Sequence, residues 1–309
     1  MANLFDIAIV GYGPAGITAA IYAARKKLKV ALIGELPGGE ITTSGEIENW
    51  PGDRQTDGIA LADKFVKHLK DHEDDVKIIQ DKVQTIEKSE DGFTLARENG
   101  ESVAAKSVIY AAGRHPRELN IPGEKEFKNR GISYCATCDA PLFQGKTVAV
   151  IGGGNTGAEA VIMFQKIAKK TYFLHIDDKL AADRILTQNF ENDKNVKILL
   201  NAKTAKIIGE KMVSGLEYED VKTGEAKKLK LDAVFVTIGA IPNTDPVNNL
   251  VPLDEYGAIK ADRYGKTDVG GFFAAGDVTD IRDAQIVVAA GHGCSAALSA
   301  GDYLSRLGG

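Results

Sequence analysis

Asp6-Ile7-Ala8-Ile9-Val10-Gly11-Tyr12-Gly13-Pro14-Ala15-Gly16 is an apolar run ending in three glycines spaced as a strand-turn-helix joint requires, and it decides the fold. Ile7 to Val10 reads as a buried strand, Pro14 to Lys26 as a helix and Lys29 to Ile33 as a second strand, which together make a βαβ unit. In that setting the first glycine permits the tight turn, the second lets backbone approach a pyrophosphate, and the third packs helix on strand, with phosphate at the helix N-terminus. Pro14 suits a first-turn position. Glu35 follows the second strand, 19 residues after Gly16, where an acid can hydrogen-bond a ribose hydroxyl or simply stand as a surface carboxylate.

The pattern returns near the middle of the chain. Thr147 to Ile151 reads as strand, Gly152-Gly153-Gly154-Asn155-Thr156-Gly157 as the turn, Asn155 to Lys169 as helix and Thr171 to His175 as strand. Two copies predict two nucleotide sites. Asp177 stands 20 residues after Gly157, where an acid favours the free 2′-hydroxyl of NADH and repels the additional phosphate of NADPH. NADH is therefore the expected donor; the rival reading makes Asp177 and Asp178 solvated loop residues and gives a phosphate contact to Lys179 or Arg184.

Between the copies, Phe93 to Ala96 and Val103 to Tyr110 read as strands, and Gly113-Arg114-His115-Pro116 breaks the pattern as a linker does. A comparable break at Ile238 to Asn243 follows the strand Ala233 to Thr237, after which short strands and a C-terminal helix, Ser295 to Leu307, complete the chain. The expected fold is α/β, with two Rossmann-like, three-layer ββα domains, the second inserted into the first. Residues 1–115 and 244–309 form one domain and residues 116–243 the other.

Composition agrees with two domains: 309 residues, 44% hydrophobic and 26% charged, are enough for two cores. A net charge of −5 without a basic cluster argues against nucleic acid and against an anionic membrane surface. The segment Met1 to Asp6 has neither a basic leader nor a spanning apolar run, so a cytoplasmic location is expected.

Three cysteines are too few for a disulfide scaffold. Cys135-Ala136-Thr137-Cys138-Asp139 instead has the spacing of a redox dithiol: two intervening residues bring the sulfurs within disulfide reach, and Asp139 is placed to shuttle the exchange proton. Zinc would need further ligands, and no second such pair exists. Cys294 reads as a small buried hydrophobe, and His68 and His72 as part of a solvated helix face.

These motifs, with Glu48-Asn49-Trp50-Pro51-Gly52 and Gly276-Asp277-Val278, resemble those of the low-molecular-weight thioredoxin reductases along essentially the whole chain. The resemblance implies FAD held by Gly11, Gly13, Pro14, Ala15 and Gly16, with Glu35, Thr42, Asn49, Gly113, Gly276, Asp277 and Gln285 completing the cradle. The second glycine turn gives the nicotinamide nucleotide Gly152, Gly154, Asn155, Thr156 and Gly157, and the spacing adds Asp177. The resemblance also implies that Cys138 faces the flavin, that Cys135 attacks the disulfide of thioredoxin or a thioredoxin-like partner, that Asp139 is acid/base, and that the enzyme is a homodimer. NADPH-using members carry His-Arg-Arg and a further arginine where this chain has His175, Ile176, Asp177 and Ala181. All three arginines are missing, which favours NADH over NADPH and keeps ferredoxin as an alternative donor. Glu40 and Ala284 also depart from the family pattern near the flavin. A hydroperoxide-reductase flavoprotein is disfavoured on the ground that the chain opens directly on its first strand, and a redox sensor remains the rival from another class.

Overall fold

A computed structural model describes residues 4–44 and 46–307. Its strands and α-helices, in chain order, are β1 (Leu4–Val10), α1 (Pro14–Arg25), β2 (Val30–Ile33), β3 (Glu46–Ile47), β4 (Thr56–Asp57), α2 (Gly58–Lys70), β5 (Val76–Ile79), β6 (Val83–Ser89), β7 (Gly92–Arg97), β8 (Ser102–Tyr110) and β9 (Arg114–Pro116). There follow β10 (Ile132–Ser133), α3 (Ala136–Asp139), β11 (Thr147–Ile151), α4 (Asn155–Ile167), β12 (Lys170–Leu174), α5 (Arg184–Thr187), β13 (Val196–Leu199), β14 (Ala202–Gly209), β15 (Val213–Asp220), β16 (Ala226–Lys230), β17 (Ala233–Val236), β18 (Ala240–Pro242), β19 (Phe272–Ala274) and α6 (Ile286–Leu307).

The chain divides into two compact units: Met1–Ser44, Trp50–His115 and Ile241–Gly309 in one, Gly45–Asn49 and Pro116–Ala240 in the other. In the first, β5-β2-β1-β8-β19 run parallel, and β7 and β6 continue antiparallel from β8. Successive side chains of a strand point to opposite faces. Accordingly Ile7 and Ile9 of β1 pack with Ile17, Ala20, Ala296 and Ala300 of α1 and α6, while Ala8 and Val10 pack with Phe93 and Leu95 of β7 and Val103 of β8. This is the expected helix, sheet, sheet layering.

The second unit repeats the plan. Its parallel sheet runs β10-β17-β11-β12-β13, and β14-β15-β16 form a separate antiparallel sheet. Val148 and Val150 of β11 face Ala158, Val161 and Phe164 of α4, whereas Ala149 and Ile151 face Ile207, Val213 and Leu216 of the antiparallel layer. Two Rossmann-like units, the second inserted into the first, are thus present.

Three boundaries differ from the sequence reading. Helix α6 starts at Ile286, not Ser295, so Gly291 and Gly293 lie inside it. Gly293 is there for close packing, since a Cβ on it would sit 2.1 Å from the Ala15 carbonyl oxygen of α1. Residues 241–243 belong with the first unit because Asn243 N–H donates to the Gly113 carbonyl at 3.0 Å and Tyr110 Oη donates to the Asn243 carbonyl at 2.8 Å. The segment Gly45–Asn49, read as part of the first domain, groups with the second unit.

Candidate functional site

In the first glycine turn, Gly11 adopts φ 116°, and a Cβ on it would lie 2.1 Å from the Ala111 carbonyl oxygen. That left-handed conformation and that approach leave room for no other residue. A Cβ on Gly16 would meet the Gly11 carbonyl oxygen at 1.9 Å, so helix α1 packs directly on the turn. Gly13 differs: a Cβ there would find nothing nearer than 3.9 Å. The protein's own packing does not account for this glycine, whereas a pyrophosphate lying against the backbone does. Gly13 also caps α1 without a side-chain hydrogen bond, ahead of Pro14 at the helix start, so the first-turn amides face outward.

The loop after β2 closes on this turn. Gly38 N–H donates to the Tyr12 carbonyl at 2.8 Å, and Thr42 Oγ1 donates to the Gly39 carbonyl at 2.8 Å. Exposed Glu35 and partly buried Thr42 therefore flank the glycines. Gly113 follows β8, beside the Ala111 carbonyl that crowds Gly11. The structure adds a residue unassigned in the sequence: Asn243 Nδ2 donates to the Ala112 carbonyl at 2.8 Å, and its Oδ1 meets His115 Nδ1 at 2.8 Å, fixing the segment around Gly113.

Gly276 and Asp277 form a tight turn after β19, close enough to α1 that a Cβ on Gly276 would lie 2.9 Å from the Ala15 Cβ. Gly276 N–H donates to Nδ1 of buried His292 at 3.2 Å, which holds the turn from α6. Among the described residues, Asp277 Oδ1 is buried without a hydrogen-bond partner. Its other oxygen lies 3.8 Å from Arg114 Nε, another residue that sequence reading passed over. Burial pushes the Asp277 carboxyl up, and the Arg114 guanidinium partly offsets this. A buried acceptor with no protein donor, beside the glycine turn, fits a ligand hydroxyl. Gln285 precedes α6, and its carbonyl accepts Ala289 N–H at 2.9 Å. Asn49 lies on the segment that groups with the second unit.

The second turn reproduces the first. Gly152 adopts φ 121°, a Cβ on Gly157 would sit 1.9 Å from the Gly152 carbonyl oxygen, and a Cβ on Gly154 would meet nothing within 4 Å. Gly154 caps α4 with no side-chain bond, leaving the amides of Asn155 and Thr156 in the first turn. Asp177 lies beyond the end of β12, exposed, on the loop that follows this turn's second strand. The same glycine thus stays open in both units, and it is the one the phosphate-binding reading requires.

Cys135 and Cys138 are joined by a disulfide, with Cα atoms 5.3 Å apart. Cys135 caps the single-turn helix α3, its Sγ accepting Cys138 N–H at 3.2 Å. Ser133 Oγ on β10 accepts Cys135 N–H at 3.0 Å. Burial pushes the Asp139 carboxyl up, and a hydrogen bond from the Ser133 hydroxyl pulls it partly back. Asp139 thus lies in the same turn as the disulfide, its carboxyl more readily protonated than that of a free aspartic acid, with Ser133 beside it. Cys294 is a free thiol on α6 near Tyr22, and it is partly exposed where the sequence reading had it buried. His68 and His72 pair with ring centres 5.9 Å apart and gather no further ligand among the described residues.

Known proteins resemble the chain along its length. It is 43% identical over 302 residues to an NADH dehydrogenase of Bacillus subtilis and 41% identical to an alkyl hydroperoxide reductase protein of Staphylococcus aureus, in each case over 98% of this chain and 59% of the relative. The chain thus spans about 59% of the length of these curated relatives. Thioredoxin reductase from Streptococcus pyogenes superposes with TM-score 0.92 at 36% identity, covering 99% of this chain and 100% of that one. A ferredoxin-flavin thioredoxin reductase from Clostridium acetobutylicum gives TM-score 0.55 at 31% identity, with 99% of each chain covered. The Staphylococcus aureus similarity restores the hydroperoxide-reductase flavoproteins, which the sequence reading had disfavoured, as close relatives. With the family profile matching residues 5–293, the chain belongs to the pyridine nucleotide-disulphide oxidoreductases, a family that implies FAD and a pyridine nucleotide as its cofactors.

Proposed function

We propose that this protein is an NADH-dependent flavoprotein disulfide reductase that delivers electrons through the Cys135–Cys138 pair to thioredoxin or a thioredoxin-like protein. One observation carries the reading: a disulfide lies on the unit whose glycine turn keeps Gly154 open, while a second such turn, open at Gly13, heads the other unit. The first unit is assigned to FAD and the second to the nicotinamide nucleotide. Gly11, Gly13, Pro14, Ala15 and Gly16 would receive the FAD pyrophosphate, Glu35 a ribose hydroxyl, and the unpartnered Asp277 Oδ1 a hydroxyl of the flavin side chain. Thr42, Gly113, Gly276 and Gln285 line the same cradle; Asn49 is assigned to it on resemblance alone. Bound FAD supplies the conversion of a hydride into a pair of electrons for disulfide reduction.

The chain's own residues do the thiol chemistry. With both cysteines reduced, the Cys135 thiolate attacks one sulfur of the partner disulfide, forming a mixed disulfide and releasing the partner's other sulfur as a thiolate. Asp139, its carboxyl pushed up by burial, gives that leaving sulfur a proton. The Cys138 thiolate then attacks Cys135 Sγ, which re-forms the intramolecular disulfide and frees the partner's second sulfur. Two electrons leave the cysteine pair, and the partner's second sulfur, freed as a thiolate, takes its proton from solvent, so that two thiols appear on the partner.

NADH is preferred because Asp177 stands where NADPH-using relatives of the family carry an arginine, and because a 43% identical relative is named an NADH dehydrogenase. The thioredoxin reductases among the structural neighbours support the acceptor, and a reducing compartment suits a dithiol that must cycle. The test is anaerobic bleaching of the flavin by NADH, NADPH and reduced ferredoxin side by side, followed by turnover with thioredoxin. Rapid bleaching by NADH and reduction of thioredoxin that is lost in Cys138→Ser are expected. Bleaching by ferredoxin alone overturns the donor, and thioredoxin left oxidised by a bleached enzyme overturns the acceptor.

A further inference from the structure

The second glycine turn is folded against the loop that follows β12. The Gly153 carbonyl accepts the N–H groups of Ala181 and Ala182, each at 2.9 Å. Asn155 and Asp183 exchange two hydrogen bonds, Asn155 Nδ2 to Asp183 Oδ2 at 2.9 Å and Asp183 N–H to Asn155 Oδ1 at 2.8 Å. His175 lies between loop and turn, its ring so close that a Cβ on Gly153 would come within 2.5 Å of it. Its Nδ1 accepts Gly153 N–H at 3.2 Å, and its Nε2 faces Asp177 Oδ2, also at 3.2 Å.

A ring nitrogen that accepts a backbone N–H carries no proton of its own, so the proton of the neutral imidazole is on Nε2. That nitrogen is the one facing the Asp177 carboxylate. A backbone amide of the phosphate-binding turn thereby fixes the tautomer, and the tautomer fixes the direction of the acid. Asp177 needs such a hold, because its side chain is 71% exposed and would otherwise be free to rotate.

We infer that His175 is a positioning residue for nucleotide selectivity: it ties the Asp177 carboxylate to the backbone of Gly153, so that discrimination in favour of a dinucleotide with an unmodified adenosine ribose depends on this ring as well as on the acid. The inference rests on the NADH reading and adds to it the device that aims the acid. It also explains why a histidine stays useful here without the arginines that accompany it in NADPH-using members. Its neighbours Ile176, Asp177 and Ala181 offer a 2′-phosphate no positive charge.

The test is calorimetric binding of NAD+ and NADP+ to the oxidised holoenzyme, which requires no turnover. His175→Phe keeps a flat ring against Gly153 and removes both nitrogens. It should weaken NAD+ binding about five- to tenfold, the loss from freeing one ordered side chain, and leave NADP+ within about twofold. His175→Gln, with an acceptor and a donor on one planar group, should recover most of the preference. Combined with Asp177→Asn, His175→Phe should cost nothing further, because the residue it positions is already disabled. Equal weakening of both nucleotides by His175→Phe, or additivity in the double variant, would show that the ring only supports the turn. If the parent prefers NAD+ and His175→Phe keeps that preference intact, this inference fails while the donor assignment survives. A parent that binds NADP+ as tightly as NAD+ overturns both.

Discussion

Asp139 shows how a single residue acquires a task from its surroundings. A free aspartic acid has lost its proton well before neutral pH, but burial in the turn after β10 pushes this one up, against the opposing hydrogen bond from Ser133. The protonated form therefore persists to higher pH than in the unfolded chain and fades as pH rises through the raised value. The thiol-exchange step that consumes its proton should slow over that same interval. Replacing Asp139 by Asn should lower the exchange rate about 100-fold, a usual size for losing a general acid, and flatten its pH profile. Ser133→Ala, which removes the lowering hydrogen bond, should move the limb to higher pH. Rapid-mixing measurement of partner reduction by the prereduced enzyme checks this, and an Asp139→Asn profile that matches the parent would dismiss the acid role. Asp139 was legible in the sequence because it adjoins the cysteines. Ser133 was not, since nothing in a lone serine two residues earlier announces that its hydroxyl serves both Cys135 and Asp139. Arg114, Asn243 and His292 escaped for a related reason: each meets its partner only after residues far apart in the chain have been brought together, as Asn243 is to Ala112.

At the scale of elements, the two strand-turn-helix joints were readable almost residue by residue, because a glycine fingerprint is local and its three positions have separate physical causes. The packing now tells those causes apart. Gly157→Ala would drive a methyl to 1.9 Å from the Gly152 carbonyl oxygen, so it should destabilise the fold by about 1–3 kcal/mol through overpacking. Gly154→Ala meets nothing within 4 Å, and replacing a capping glycine should cost the fold no more than about 1 kcal/mol. Its methyl would instead stand where backbone must approach phosphate, so NAD+ affinity should fall at least about tenfold. Denaturant unfolding and nucleotide titration of both variants separate the two effects; a Gly154→Ala protein that binds normally would remove the pyrophosphate from this turn. The start of α6 lies nine residues before the expected Ser295. Within a helix glycine lets two backbones come together, and Gly293 against Ala15 is such a case. Only the partner helix reveals that use.

Over the whole molecule, the sequence contains one architecture twice, and each copy builds its own layered core: Ile7, Ile9 and their neighbours in the first unit, Val148, Val150 and theirs in the second. The parallel strands and their order follow from the repeated βαβ pattern. A second β layer was implied by the expected three-layer fold, but its strands β14, β15 and β16 were not located, because they lie in a charged stretch without a motif. Under the proposed function, separate cores with separate open glycines give each cofactor its own unit to stabilise. A ligand that binds only the folded form at 100 times its Kd contributes about 2.7 kcal/mol, which for a domain of roughly 150–250 residues raises Tm by about 5–10 °C. Calorimetric scans of the apoprotein should therefore show FAD displacing one transition and NAD+ another. Gly13→Ala should abolish the first displacement and spare the second, and Gly154→Ala should do the reverse. A single transition moved by both ligands, and weakened alike by either substitution, would mean that the two units melt and bind as one, and the assignment of one cofactor to each would have to be abandoned.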